Sequence, residues 1–344
     1  MTEIKEIQKS DEQKEQKIRA LALFSGGLDS LLAMKLIIEQ GIEVIGLYFE
    51  TGFGGAKDAH EKQEKLRKLT DKIGAKLQIV DVREEYIQKV LFDPKYGYGK
   101  NFNPCIDCHA HMVRVAKALL KKLDAKFIIS GEVLGQRPMS QRMDALKIVS
   151  EFSNAEGLIL RPLSAKLLPP TIPEKEGWVN REKLLDISGR SRERQMELAK
   201  KWGIEDYPSP SGGCLLTDEY FSEKIRDFIK YDKFEVEDIP VLKVGRHFRL
   251  PEGAKLVVSR NKDENEKLKA IDSHKYIKFT LPLPGPISLI SKNATNNDKE
   301  LAAKIALTYS KAKPEELYEV KIGEDSFKVS PYESKDKVKG FFVK

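Results

Sequence analysis

Apolar positions fall along this chain in two rhythms, and the change between them divides it. Over the first 160 residues, short unbroken apolar runs alternate with helical periodicity. Ala20 to Phe24 reads as a buried strand, Leu31 to Glu39 as a helix stopped at Gly41, and Val44 to Phe49 as a second buried strand. His60 to Ile73 is a charged amphipathic helix ending at Gly74, and Lys76 to Val80 a third strand. A loop rich in Gly, Pro and Tyr runs from Asp93 to Pro104. Beyond it, His111 to Lys122 predicts a helix, Phe127 to Ser130 a fourth strand and Leu158 to Leu163 a further one. Strands alternating with helices at this spacing predict an α/β fold with a doubly wound parallel sheet. Ligands of such sheets bind beyond the carboxyl ends of the strands. The segments after the first, second and fourth strands should therefore share one crevice.

From about Ser164 the rhythm breaks at Pro169, Pro170 and Pro173. Helices are expected at Arg181–Leu185, Ser191–Lys201 and Asp218–Tyr231, with the loop Tyr207 to Cys214 between the last two. Beyond Pro240 the pattern becomes short and two-fold. It predicts a hairpin over 244–261, a helix from Asn261 to Ile271, strands at Ile277–Leu283 and Pro286–Ile290, a helix from Asp298 to Lys311, and strand-like sequence from Leu317. The expected organisation is a polar tail or short solvated helix over 1–17, an α/β lobe over 18–163, a connector over 164–239 and a smaller α+β module over 240–344.

Charge sharpens this division. Residues 1–240 carry 39 basic and 39 acidic side chains, whereas 241–344 carry 21 and 14, so the net +7 belongs to the last third. A separate basic module points to an anionic partner, with nucleic acid first. No apolar stretch reaches the ~20 residues of a membrane span, and Met1 to Lys17 lacks the apolar centre of a secretory signal. A cytoplasmic location is expected.

The first strand is followed by Ser25-Gly26-Gly27-Leu28-Asp29-Ser30 and then by a helix. Free N–H groups at a helix start, glycines that admit positive φ, and two hydroxyls make an anion-binding turn. No Lys follows the glycines, so it is not the Gly-Lys-Ser/Thr phosphate loop. The SGGxDS pattern resembles the pyrophosphate loop of the N-type ATP pyrophosphatases, a PP-loop, HUP-like fold that splits ATP into AMP and pyrophosphate and adenylates a substrate oxygen.

The three cysteines, Cys105, Cys108 and Cys214, are too few and too odd in number for a disulfide framework. Two stand three apart, and the third follows Gly212-Gly213. Four chemistries suit them: an iron–sulfur cluster with one open iron, a persulfide and resolving pair, a Cys3His zinc site with His109 or His111, or c-type haem at Cys105-x-x-Cys108-His109, which requires export. Beside an adenylating loop, these cysteines resemble the tRNA thiolation enzymes: the 2-thiouridylases, the 4-thiouridine synthetases and their iron–sulfur-dependent relatives. The resemblance covers roughly residues 18–230. It implies ATP with Mg2+ at Ser25, Gly26, Gly27, Asp29 and Ser30, a nucleotide base near Leu47, Tyr48 and Phe49, and Gly131 beside the nucleotide. It also implies catalytic roles for Asp29, Cys105, Cys108 and Cys214, with the three thiolates on a [4Fe-4S] cluster and sulfide or a persulfide carrier as sulfur donor.

The run Gly245 to Pro251 with Asn261 resembles the RNA-binding domain of NFACT-type ribosome quality-control proteins. It implies phosphate contacts from Arg246, Arg249, Lys255 and Arg260, and base stacking on His247 and Phe248. The reading is an ATP-dependent tRNA sulfurtransferase. Its rivals are an ATP pyrophosphatase or sulfur transferase acting on a small molecule, and a non-catalytic, ribosome-associated RNA binder that senses ATP.

Overall fold

The computed structural model describes residues 17–55, 59–205, 207 and 213–343; the expected tail over 1–17 lies almost wholly outside them, as do residues 208–212 of the loop before Cys214. The described residues divide between two compact units. Those of the first lie within Met1–Phe49, Asp58–Val80 and Cys108–Ser211, and those of the second within Glu50–Lys57, Asp81–Asp107 and Gly212–Lys344.

In chain order the first part of the chain forms β1 (Arg19–Leu23), α1 (Leu28–Ile38), β2 (Glu43–Glu50), α2 (Ala59–Ile73), β3 (Lys76–Asp81), α3 (Arg83–Tyr86), α4 (Cys105–Lys122), β4 (Phe127–Ser130), α5 (Met143–Phe152), β5 (Ile159–Leu160), α6 (Ile172–Lys175) and α7 (Glu193–Lys201). The strands make one sheet in the order β3-β2-β1-β4-β5, and β1 runs parallel to both β2 and β4. This is the expected doubly wound sheet. Its order reverses between β1 and β4, which places the switch point where Ser25 and Gly131 leave their strands.

Helix α1 buries eight of its eleven residues, from Leu28 to Ile37. Such a helix needs cover on more than its sheet side. Val179, Leu184, Ile187, Ala199 and Ile204 belong to the same apolar core. The expected boundary at residue 163 is therefore not a structural one, because much of the connector completes the first unit. The expected helix at Arg181–Leu185 is a single 3-10 turn, Arg181–Lys183. The strand expected over Leu158–Leu163 shortens to β5, since Arg161 leaves the ladder for a carboxylate and Pro162 follows.

The second unit is held by aromatic rings drawn from three separate segments. Phe53 lies 6.0 Å from Tyr86, 6.2 Å from Phe221 and 6.4 Å from Phe234 between ring centroids. Phe92 meets Phe102 at 6.0 Å and Phe234 at 5.6 Å. These contacts join residues 50–55 and 81–107 to α8 (Glu219–Phe228) and to Phe234, which lies between α8 and α9 (Asp238–Leu242). Beyond α9 come β6 (Arg246–Arg249), β7 (Lys255–Val258), α10 (Lys262–Ala270), β8 (Tyr276–Phe279), β9 (Ser288–Ser291), α11 (Asn296–Thr308), β10 (Tyr318–Ile322) and β11 (Asp325–Val329). The expected hairpin is β6–β7, antiparallel with Arg246 opposite Val258. The sheet runs β6-β7-β9-β8, and β10–β11 form a separate hairpin. Among the described residues no helix is long and apolar enough to cross a membrane.

Candidate active site

The loop after β1 is built around two close approaches. Gly26 has φ of +79°, and a Cβ there would stand 2.6 Å from Leu66 Cδ2. Gly27 precedes α1 in extended conformation and supplies no side-chain cap, so the first N–H groups of α1 lack intrahelical partners. Ser30 Oγ donates to Gly27 O at 2.8 Å and lies 3.3 Å from Ser25 Oγ. Gly131 faces this turn from the end of β4. A Cβ on Gly131 would lie 2.6 Å from both Cα and N of Ser30, so only glycine lets β4 end against α1.

Asp29 stands in the first turn of α1. Its Oδ2 accepts from Gln136 Nε2 at 2.7 Å, and Gln136 is itself held by Gln195 at 3.1 Å. Its Oδ1 is buried without a hydrogen-bond partner. Such an atom costs about 1–3 kcal/mol unless something fills the vacancy. A hard carboxylate oxygen beside free amides suits Mg2+ carried by a polyphosphate.

Glu132, the next residue after Gly131, accepts from His109 Nδ1 at 2.8 Å and from Arg161 Nε at 2.9 Å. Burial pushes this carboxyl up, but Arg161 and His109 outweigh it and hold it at about 2. Glu132 and Arg161 are not expected from the sequence, where their one signal is Gly131-Glu132 directly after a buried strand. Within the first unit, Gly131 thus touches the Ser25–Ser30 turn while Glu132 holds the residue after Cys108. Leu47, Tyr48 and Phe49 are buried at the end of β2, and Leu47 O already accepts from Phe24 N at 2.9 Å. Their side chains are core, so any contact with a base there runs through backbone.

Cys105 and Cys108 are not loop residues. They open α4, one turn apart, because the helix begins straight after Pro104 rather than at His111. Asn103 Nδ2 donates to Cys105 Sγ at 3.1 Å, and Asp107 accepts from Lys95 N and Tyr96 N at 2.8 and 3.0 Å. In the second unit, Cys214 forms a bridge with Gly54, and its neighbour Leu215 donates to Phe53 O at 2.9 Å. Phe102 N donates to Leu216 O at 3.2 Å, which ties the loop before Cys105 to the segment carrying Cys214. Cys214 is exposed as a residue, yet dense surroundings push its thiol up, and Cys105 adds to that shift. None of the three cysteines is in a disulfide. Among the described residues, the one group of three or more His, Cys, Asp or Glu ligand atoms lying within 4.8 Å of one another is Glu235, Glu237 and His274; the cysteines form no such group. A single ion draws its ligands that close. A four-iron cluster spans more than one ion and holds its thiolates farther apart, so this spacing tells against a single zinc and not against a cluster.

The expected RNA contacts are largely corrected. Phe248 is fully buried and stacks on Phe342 at 4.5 Å. His247 is buried, shares a hydrogen bond with Val244 O at 2.8 Å, and is pushed well below its usual value by burial and nearby cations. Neither ring can stack on a base. Lys255 is buried against Asp227 at 2.9 Å, and Arg249 forks onto the same carboxylate at 2.7 and 3.0 Å. Arg246 and Arg260 remain at the surface of the unit.

Residues 16–166 match the family described as thiamine biosynthesis protein (ThiI), and residues 245–338 match the NFACT protein RNA binding domain. A probable tRNA sulfurtransferase from Thermococcus kodakarensis is 32% identical over 150 residues, covering 42% of this chain and 36% of that protein. A tRNA-specific 2-thiouridylase MnmA from Cytophaga hutchinsonii is 30% identical over 169 residues, covering 44% and 45%. The chain thus spans less than half the length of these relatives. Among solved structures, a 4-thiouridine synthetase–RNA complex with bound ATP aligns at 21% identity and a TM-score of 0.36, covering 65% of this chain and 52% of that one. The U34-tRNA thiolase NcsA from Methanococcus maripaludis, solved with its [4Fe-4S] cluster, aligns at 14% and 0.32, covering 58% and 63%. Residues 16–166 are thus similar to the ThiI family, and residues 245–338 to the NFACT RNA-binding domain.

Proposed function

We propose that this chain is an ATP-dependent tRNA sulfurtransferase that adenylates a carbonyl oxygen of a uridine and replaces it with sulfur. The observation that carries the proposal is the pair Gly131–Glu132. One residue packs on the Ser25–Ser30 turn and the next holds His109, beside Cys108. Nucleotide-activating groups and a sulfur-bearing residue are therefore anchored at one strand end.

The free N–H groups of α1 and the hydroxyls of Ser25 and Ser30 receive the phosphates of ATP. Asp29 Oδ1 would hold Mg2+, which would offset phosphate charge. The base carbonyl oxygen attacks the α-phosphorus, the bond to the bridging oxygen breaks, and pyrophosphate leaves. A sulfide sulfur then attacks the activated carbon; the carbon–oxygen bond breaks and AMP departs with the oxygen. Cys105, Cys108 and Cys214 would hold a [4Fe-4S] cluster, which would supply an iron coordination position open to a sulfur ligand.

The test is anaerobic purification of the full chain, with iron and sulfide analysis, AMP measurement and mass spectrometry of nucleosides from treated tRNA. The expected result is a brown protein that forms AMP and thiolated nucleoside, with both chromophore and thiolation lost in each of Cys105→Ala, Cys108→Ala and Cys214→Ala. A colourless, iron-free protein that still thiolates would overturn the cluster. AMP formation unaffected by tRNA, with a small molecule thiolated instead, would overturn the substrate.

A further inference from the structure

The second unit gathers cations in two places, and only one keeps its charge. A cavity of about 260 Å³ is lined by Arg249, Lys255 and Lys275 among others. Asp227 pairs with both of the first two, and the remaining positive charge is met around Lys275, which is ringed by Asp238 at 2.9 Å, Glu235 at 3.1 Å and Asp232 at 3.9 Å. That cavity has no charge to spare for an anion.

The other group is Lys224, Arg246, Arg260 and Lys335. Arg246 donates to Ser259 O at 3.0 Å, and its guanidinium lies 4.5 Å from the centre of the Tyr309 ring. Lys335 Nζ lies 5.6 Å from the same ring. Lys224 Nζ donates to Leu242 O at 3.1 Å. Carbonyls and a ring orient these three cations without cancelling their charge. Arg260 alone is bonded to a carboxylate, Glu264, at 2.5 and 2.8 Å. Asp218, the other carboxylate that acts on Lys224, caps α8 by accepting from Phe221 N at 2.7 Å. The uncancelled charge is felt locally. Burial and then Arg260 push Lys224 down to about 8, and burial and Arg260 also lower Arg246.

We propose that Lys224, Arg246, Arg260 and Lys335, arranged around Tyr309, form the surface that receives the phosphate backbone of RNA. This rests on the reading that the chain acts on tRNA, and it moves the interface from the Arg249–Lys255 side of β6 and β7 to the side of Arg246. It also recruits Lys224 from α8, before the NFACT-type stretch begins, and Lys335 near its end. A phosphate chain supplies the several anions, spaced along one line, that such a patch leaves unmet.

The test measures binding of the full chain to unmodified tRNA across salt concentrations. Each of Lys224→Gln, Arg246→Gln and Arg260→Gln should lower the log–log salt slope by ~0.7–0.9. Their combination should weaken binding about tenfold or more at fixed salt. Lys313→Gln, an exposed cation paired with Glu316 at 3.2 Å, should change neither. A second measurement uses the unaltered protein: tRNA should slow acylation of Lys224 by a water-soluble succinimidyl ester, read by peptide mass spectrometry. If the wild type binds tRNA while the triple variant keeps its affinity and slope, the patch falls and the tRNA reading stands. So it does if bound tRNA leaves Lys224 equally reactive. A wild-type chain with no affinity for tRNA overturns both.

Discussion

The two units offer anions different groups. The first uses backbone: amides at the start of α1, two glycines that permit close approach, and no lysine within the Ser25–Ser30 turn. The second uses side-chain cations, and its carboxylates decide which of them remain charged toward solvent. Backbone recognition is fixed by a contiguous stretch, because glycines and a strand–helix junction determine where the amides point. Side-chain recognition depends on partners brought from far away in sequence. Arg249 and Lys255 are both turned inward onto Asp227, and nothing near them in the chain announces it.

The sharpest way to break the comparison is at Asp29. Asp29→Ala removes the oxygen proposed for Mg2+ and should cut AMP formation by at least about a hundredfold, the scale of losing one preorganised electrostatic group. Affinity for tRNA should not change, since that belongs to the other unit. Equal loss of both, measured by AMP release and by filter binding, would mean the anion sites are not separate.

Asp227→Asn acts on the other unit and should read out as stability. It leaves Lys255, 2% exposed, and Arg249 without their shared carboxylate. Breaking a buried pair in this way costs about 3–5 kcal/mol, so the thermal midpoint should fall by many degrees. An unchanged midpoint would mean these cations were not neutralised after all, and would restore them as candidates for RNA.

Glu132 links folding and site in the first unit. Its carboxyl lies at about 2, below the ordinary 4.5, so the folded state favours its ionised form. That contribution is complete above about pH 4.5 and is lost as pH falls toward 2. Glu132→Gln should lower stability at pH 7 and flatten the acid limb of the stability curve. A variant whose acid limb matches the wild type would show that Arg161 and His109 do not hold the carboxylate ionised.

The same contrast explains what could be read from sequence. The turn Ser25–Ser30, strands β1 to β4 and the β6–β7 hairpin were legible because each is a local pattern with one period. The aromatic cluster was not: Phe53, Phe92, Phe102 and Phe234 recur with no period and lie outside every helix and strand that the pattern predicts. The periodicity starts α4 only at His111, which leaves Cys105 and Cys108 ahead of it, although Pro104 marks the helix start. His247 and Phe248 were misread for a clearer reason. Adjacent strand residues face opposite sides, and one covered face is the usual expectation. Here both faces are covered, by a core containing Phe248 and Leu256 on one side and one containing Val257 and Leu289 on the other. A strand covered on both sides hides the side chains at its centre, polar ones included, and only Arg246 and Arg249 at its ends stay partly exposed.

The smallest expected effect belongs to Lys335. It is exposed, and the ring of Tyr309 at 5.6 Å is what orients it. Lys335→Gln should leave the thermal midpoint within experimental scatter, since surface substitutions away from buried partners shift stability by less than about 0.5 kcal/mol. It should still lower the salt slope of tRNA binding by ~0.7–0.9, the share of one phosphate contact. The opposite profile is what Asp227→Asn predicts: a large loss of stability with the slope intact. One residue that alters binding and not folding, set against one that alters folding and not binding, would separate charge that faces a partner from charge spent inside the fold. If Lys335→Gln left the slope unchanged while Arg246→Gln lowered it, the surface would end at Tyr309, and the fourth cation would be solvated without contributing.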